Sequence, residues 1–213
     1  MNDAAEISTA KPMRSSAKAH GIIKQFEGLF LSAYLCPAGV WTIGWGHTAG
    51  VKKGDRISLD TAERLFREDI REFDEGVSSL LVREVPQHVF DALVSFGFNV
   101  GLDIDEDFVP EGLGDSTLLR LVNQGRMDAA ANEFGFWVKG GRPRKVMPGL
   151  VRRRAIDVVL RPENVTKYKT TLRAVASEDM VNAPVKGVAD EEMVEKIEES
   201  GMAAVPLPEH PDA

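Results

Sequence analysis

The chain reads as an α+β protein of two lobes, with a small β-hairpin after one helix and then a larger lobe of helices. Three stretches predict this. Between Tyr34 and His47, the β-formers Val40, Trp41, Thr42 and Ile43 lie among Pro37, Gly39, Gly44 and Gly46, the pattern of short strands in a hairpin. From Leu59 to Leu81, Ala62, Leu65, Phe66, Ile70, Phe73 and Val77 follow helical spacing. From Val89 to Val100 the chain is almost wholly apolar, which predicts the central buried helix.

The remaining elements follow from local punctuation. Residues 1–15 are polar and are expected to form a flexible lead-in. Ser15 or Ser16 suits the N-cap of a first helix whose apolar face carries Ile22, Ile23 and Phe26. Asp60 and Glu63 have capping-box spacing at the start of the long helix. Pro86 suits the first turn of the apolar helix and Gly101 its C′ position. Asp115 or Ser116 can cap a further helix ending at Gly125, another covers Met127–Trp137, and Pro148 and Pro162 bracket the last. The domain expected to carry function therefore spans residues 16–162. Residues 163–213 hold one aromatic residue, excess acid and a proline-rich end, and read as a weakly ordered tail with one short charged helix at Asp190–Ser200.

Composition narrows the function. The 213 residues carry a net charge of −7, and residues 161–213 supply most of it, with 6 Lys/Arg against 11 Asp/Glu. An acidic chain is a poor prior for nucleic acid. No run approaches the ~18 consecutive apolar residues of a membrane span, and the first twenty residues have no apolar core of a secretory signal. Cys36 is the single cysteine, so no internal disulfide and no cysteine-based zinc cage is possible. The four histidines have no metal-ligand spacing, and no metal or cofactor is expected.

The segment from Glu27 to His47, EGLFLSAYLCPAGVWTIGWGH, carries the chemistry. Glu27 ends an apolar helical stretch between Phe26 and Leu29, surroundings that disfavour a charged carboxyl and suit a general acid. If the hairpin folds back beside that helix end, Cys36 and Thr42 face the same cleft. On spacing alone, the plainer alternative is stronger: an exposed helix-end Glu, a small apolar filler and a β-former.

The segment resembles the catalytic signature of the phage-type lysozymes and endolysins, glycoside hydrolase family 24. There a Glu is followed after eight intervening residues by Asp or Cys, and after five more by Thr. Glu27, Cys36 and Thr42 have that spacing. TIGWGHT, ALVSFGFNVG (92–101), STLLRLVNQG (116–125) and GLVRRR (149–154) match in order, so the resemblance covers roughly residues 18–160. It implies a lysozyme-like fold whose lobes are joined by a long helix, acting as a monomer on peptidoglycan without a cofactor. Hydrolysis would fall on the β-1,4 bond between N-acetylmuramic acid and N-acetylglucosamine. Glu27 would protonate the leaving oxygen, and the second and third positions would hold a water on the opposite face of the sugar, the inverting arrangement.

Cys36 stands where many relatives have Asp. A free thiol has a pKa of about 8.5 and is mostly neutral at pH 7. Cys36 would then serve as a partly ionised base, or help Thr42 orient water, or leave the site crippled; retained activity is the expectation. His47 and Thr48 close the hairpin motif and, with Phe98 and Asn99, are the candidate substrate-binding residues, although for His47 a structural place beside the cleft, paired to an acid, is the better reading. Phe98 and Asn99 end the apolar helix, where Phe98 contacts either substrate or core. Trp41 and Trp45 stack on sugar or are buried. Seven Lys/Arg and no acid lie between Phe134 and Ile156, a basic patch for an anionic wall polymer or a solvated face. Asp103, Asp105 and Asp107 lie in a long acidic loop, read as a surface loop near the cleft.

The expected protein waits in the host cytoplasm until a holin or other membrane lesion admits it to the wall, or acts from a virion. The alternatives are a lytic transglycosylase, against which Thr42 argues, and a non-catalytic wall-binding or virion structural module.

Overall fold

The computed structural model describes residues 13–36, 39–104, 112–140 and 144–159. The N-terminal twelve residues, Asp105 and Asp107, Arg142 and the whole of 163–213 with its expected helix lie outside the described residues. Six helices and two small antiparallel sheets are described: α1 Ala17–Glu27, β1 Phe30–Leu35, β2 Trp41–Gly44, α2 Leu59–Leu80, α3 Gln87–Val100, α4 Thr117–Asn123, α5 Met127–Glu133, β3 Lys139–Gly140, β4 Lys145–Val146 and α6 Pro148–Val159. This is the α+β architecture that the sequence predicts.

The first helix starts where Ser16 accepts from the Ala19 N–H. What secures that start is remote. The buried Asp91 of α3 accepts from the Ser16 N–H at 2.9 Å and from its hydroxyl at 2.6 Å, and the buried Asp74 of α2 accepts from the Ser15 N–H at 3.0 Å. Two carboxylates thus meet the positive end of the α1 dipole and bind it to both longer helices.

The long helix begins at Leu59, as expected, but its cap lies two residues before Asp60. Ser58 is its N-cap, accepting from the Thr61 N–H, so Asp60 lies inside the first turn. The serine hydroxyl competes successfully because it precedes the helical residues, where the free N–H groups point. Gly101 ends α3 with φ 96°, a backbone a side chain would strain, as its placement after an apolar run predicts. The helix read across Met127–Trp137 is α5 followed by a 3-10 turn at Phe134–Phe136. The short β3–β4 hairpin has no counterpart in the expectation.

α3 is the spine of the larger lobe, buried from Val89 to Gly97 and packed by α1, α2 and α6. β1 is paired on both edges. β2 runs antiparallel on one side with Tyr34 opposite Thr42 and Leu35 opposite Trp41, and on the other the Ile57 N–H donates to Leu31 and the Ala33 N–H to Asp55. A bulge between Phe30 and Tyr34 shifts the register, since Phe30 lies opposite Gly44. Lys24 of α1 joins the lobes: its ammonium lies 2.6 Å from Glu63, 4.2 Å from the Trp45 ring centre and 4.7 Å from that of Phe66. Trp45 is thereby a buried structural residue, the commoner of its two expected fates.

Candidate active site

Glu27 is the last residue of α1, released from the helix by Gly28 at φ 71°. Its Oε1 accepts from Arg153 Nη1 at 2.6 Å across 126 residues of sequence. Arg153 Nη2 donates to the Ser95 carbonyl at 3.2 Å, and the guanidinium lies 5.4 Å from the Phe26 ring centre. Arg153 is 5% exposed and Glu27 23%. Beside the apolar neighbours that the sequence gives Glu27, a cation from α6 closes one side of the carboxyl. Arg153 therefore belongs to the site. Within the sequence it was one of a basic run, and nothing local distinguishes it from its neighbours.

The second oxygen of Glu27 faces Gly46. A Cβ on Gly46 would stand 3.5 Å from Glu27 Oε2 and 3.6 Å from Phe98 Cε1, and Gly46 itself has φ 92°. The missing side chain keeps one carboxyl oxygen uncovered. Phe98 borders the same spot while its ring packs 4.9 Å from Phe73 and 6.1 Å from Phe66, so it is at once core and rim.

Cys36 and Thr42 are brought together by one acceptor. The Val40 carbonyl accepts from the Cys36 N–H at 3.0 Å and from the Thr42 hydroxyl at 3.1 Å. Thr42 has thus spent its proton within the hairpin, and its oxygen is left as an acceptor. Cys36 is a half-buried thiol in no disulfide. Tyr34 stands directly across from Thr42. Its hydroxyl is pushed above the usual tyrosine range, first by burial and then by Glu27 and Cys36.

The other expected residues have different surroundings. His47 Nδ1 lies 2.9 Å from Asp69 Oδ1 and its Nε2 3.0 Å from the Ala49 carbonyl, which gives it the acid partner the sequence suggested. Burial pushes the Asp69 carboxyl above its ordinary range; His47 pulls it back, and Glu72 and Glu68 add to the push. His47 also exchanges both backbone hydrogen bonds with Ile43, closing the turn that presents Gly46. Thr48 is exposed in the following turn. Asn99 accepts from Arg154, whose guanidinium is fully buried, pairs with Asp157 at 2.6 Å and lies over Phe96. Ser95 donates to the same Asp157 at 2.7 Å. The basic patch is accordingly divided: Arg153 and Arg154 are buried and paired, while Lys139, Arg144 and Lys145 are exposed. Asp103 receives the Gly112 N–H at 2.9 Å, which fixes the two ends of the acidic loop to each other.

Comparison with known proteins places these features in context. A family model described as phage lysozyme matches residues 24–157. The endolysin of Bacillus phage B103 is 38% identical over 193 residues, covering 88% of this chain and 70% of that protein. The endolysin of Acyrthosiphon pisum secondary endosymbiont phage 1 is 36% identical, covering 70% of this chain and 97% of that one. Among solved structures, the muramidase domain of SpmX from Asticaccaulis excentricus superposes with a TM-score of 0.62 at 36% identity, over 69% of this chain and 96% of that domain.

Proposed function

The chain belongs to the phage lysozyme family, and from that premise we propose an inverting muramidase in which Glu27 is the general acid and Cys36 and Thr42 hold the attacking water. The enzyme is a lysozyme of the endolysin type, acting on bacterial peptidoglycan. The observation that carries the assignment of roles is the hairpin geometry, where the Val40 carbonyl ties Cys36 to Thr42 just after the helix end that holds Glu27.

The two carboxyl oxygens of Glu27 have separate tasks in this reading. Oε1 is held by Arg153, and Oε2, beside Gly46, carries the proton to the leaving glycosidic oxygen. The water donates one hydrogen to the Thr42 oxygen, whose own proton is engaged by Val40, and this turns a lone pair toward the anomeric carbon. Cys36 acts here in its thiolate form, which takes the second hydrogen of the water as a proton while the bond to the anomeric carbon forms, the work a carboxylate does in an inverting glycosidase. The Arg153 fork keeps the Glu27 side chain in one rotamer, so the acid waits in place for substrate.

Glu27→Gln should abolish clearing of a peptidoglycan suspension, and Cys36→Asp should preserve it. Reducing-end products by mass spectrometry and a freshly released anomer of inverted configuration by NMR are expected. Anhydro ends would instead indicate a transglycosylase, and an active Glu27→Gln would overturn the assignment. The chemistry is assigned to residues 16–162, so a chain ended after Pro162 should keep its activity, and sedimentation should show a monomer.

Among the described residues no helix is long and apolar enough to cross a membrane. We place the enzyme at the cell wall after a holin or another membrane lesion admits it. Intact cells making the protein should lyse only when the membrane is permeabilised.

A further inference from the structure

The geometry points to Tyr34 as a substrate-contacting residue of this reaction: its hydroxyl, on the hairpin face shared by Cys36 and Thr42, donates a hydrogen bond to the sugar whose linkage Glu27 protonates. The inference rests on the proposed roles of Glu27, Cys36 and Thr42 and adds a fourth group to them.

Strand geometry supplies the first reason. Side chains two apart along a strand share a face, and so do directly opposed residues of an antiparallel pair. Tyr34 is directly opposite Thr42, and Cys36, one residue beyond the end of β1, continues the pairing through its N–H to the Val40 carbonyl. The bulge between Phe30 and Tyr34 ends where this regular pairing begins, so the register from Tyr34 onward is what sets these three side chains together.

The second reason is that the ring is anchored while its hydroxyl is unspent. The Tyr34 ring lies 4.3 Å from that of Phe30 at 40°, a tilted stack on its own strand. No described residue exchanges a hydrogen bond with the Tyr34 hydroxyl. Phenylalanine would serve that stack equally well, and a half-buried phenol ordinarily finds a polar partner. The partner missing among the described residues is one a carbohydrate hydroxyl or acetamido group provides.

Charge supplies the third. Burial, Glu27 and Cys36 all favour the neutral phenol, so Tyr34 remains a hydrogen-bond donor throughout the working range of the enzyme. Tyr34 stands opposite Thr42 on the strand pair that carries the two groups assigned to the water, and so beside the sugar they act on.

The test uses the full chain. Its sequence has only two tyrosines, Tyr34 and Tyr168, so the Tyr34 signal of protein labelled with 13C at tyrosine Cζ is identified by its loss in Tyr34→Phe. In labelled Glu27→Gln protein, saturation with a soluble peptidoglycan tetrasaccharide should move that signal. Tyr34→Phe, which keeps the ring, should lower kcat/KM on the same glycan roughly tenfold at unchanged Tm. A Tyr34 signal that stays put while the indole signals report bound glycan overturns the inference, as does undiminished kcat/KM in Tyr34→Phe. A fall in Tm with undiminished kcat/KM per folded molecule overturns it too. Turnover by Glu27→Gln is a separate outcome: it removes the parent assignment of the acid, and the inference with it.

Discussion

Arg153 grips Glu27 by one oxygen only, with Nη1 at 2.6 Å from Oε1, and spends Nη2 on the Ser95 carbonyl of α3. The site acid is thereby tied to the spine of the larger lobe by a single guanidinium. Removing the arginine as Arg153→Ala leaves the carboxyl without its partner. Loss of one member of a buried pair costs several kcal/mol, and the partial exposure of Glu27 reduces this to about 2 kcal/mol. Arg153→Lys retains the charge but not the fork, so it should recover stability more than activity. Thermal melts and clearing rates of both variants check this; equal recovery of the two quantities would show that charge alone matters.

Gly46→Ala should injure activity beyond its effect on stability. A side chain at φ 92° costs about 1–2 kcal/mol of backbone strain. The new methyl also covers Glu27 Oε2, the oxygen assigned to carry the proton. If clearing by folded Gly46→Ala equals that of the parent, the proton does not leave from that oxygen.

These pairings mark the border of what the sequence discloses. Ser16 as a cap, Gly101 as a stop and the apolar run of α3 are local facts, fixed by residues within a turn of each other. The order of elements was legible for that reason, and so was the spacing that singled out Glu27, Cys36 and Thr42. Ser58, two residues earlier, takes the capping role expected of Asp60. The grip of Arg153 on Glu27 and the capping of α1 by Asp91 and Asp74 join residues 59 to 126 apart, and composition gives them no local signature. Tyr34 was hidden differently: its face depends on a bulge, and one residue of register reverses it.

The buried polar set behind the site should be intolerant of piecemeal change. Arg154 and Asp157 are both fully buried, and each has a further hydrogen bond, from Ser95 to Asp157 and from Arg154 to Asn99. Asp157→Asn removes the compensating charge and should cost about 3–5 kcal/mol. The double replacement Arg154→Met with Asp157→Leu removes both charges and should be markedly less destabilising than Asp157→Asn alone. Chemical denaturation of the two variants decides it, and a double variant weaker than the single one would contradict the pairing.

His20 should make the fold sensitive to mild acid. Its Nε2 lies 2.8 Å from the Ser15 hydroxyl and its ring meets Phe66 edge-on at 5.9 Å. Burial holds its pKa below the ordinary 6.5, with Lys24 acting in the same direction and Asp74 and Asp91 opposing. Between the folded value and 6.5 the unfolded chain binds more protons, so stability rises with pH across that window. The contribution is complete above 6.5 and is lost as pH falls through the folded value. His20→Phe keeps an aromatic edge against Phe66 and removes the titration; its loss of the Ser15 hydrogen bond is an offset at every pH. Melting both proteins at pH 7.5 and pH 5 should show the variant gaining on the parent in acid. A difference in Tm that is the same at both pH values would mean that His20 is not held neutral by the fold.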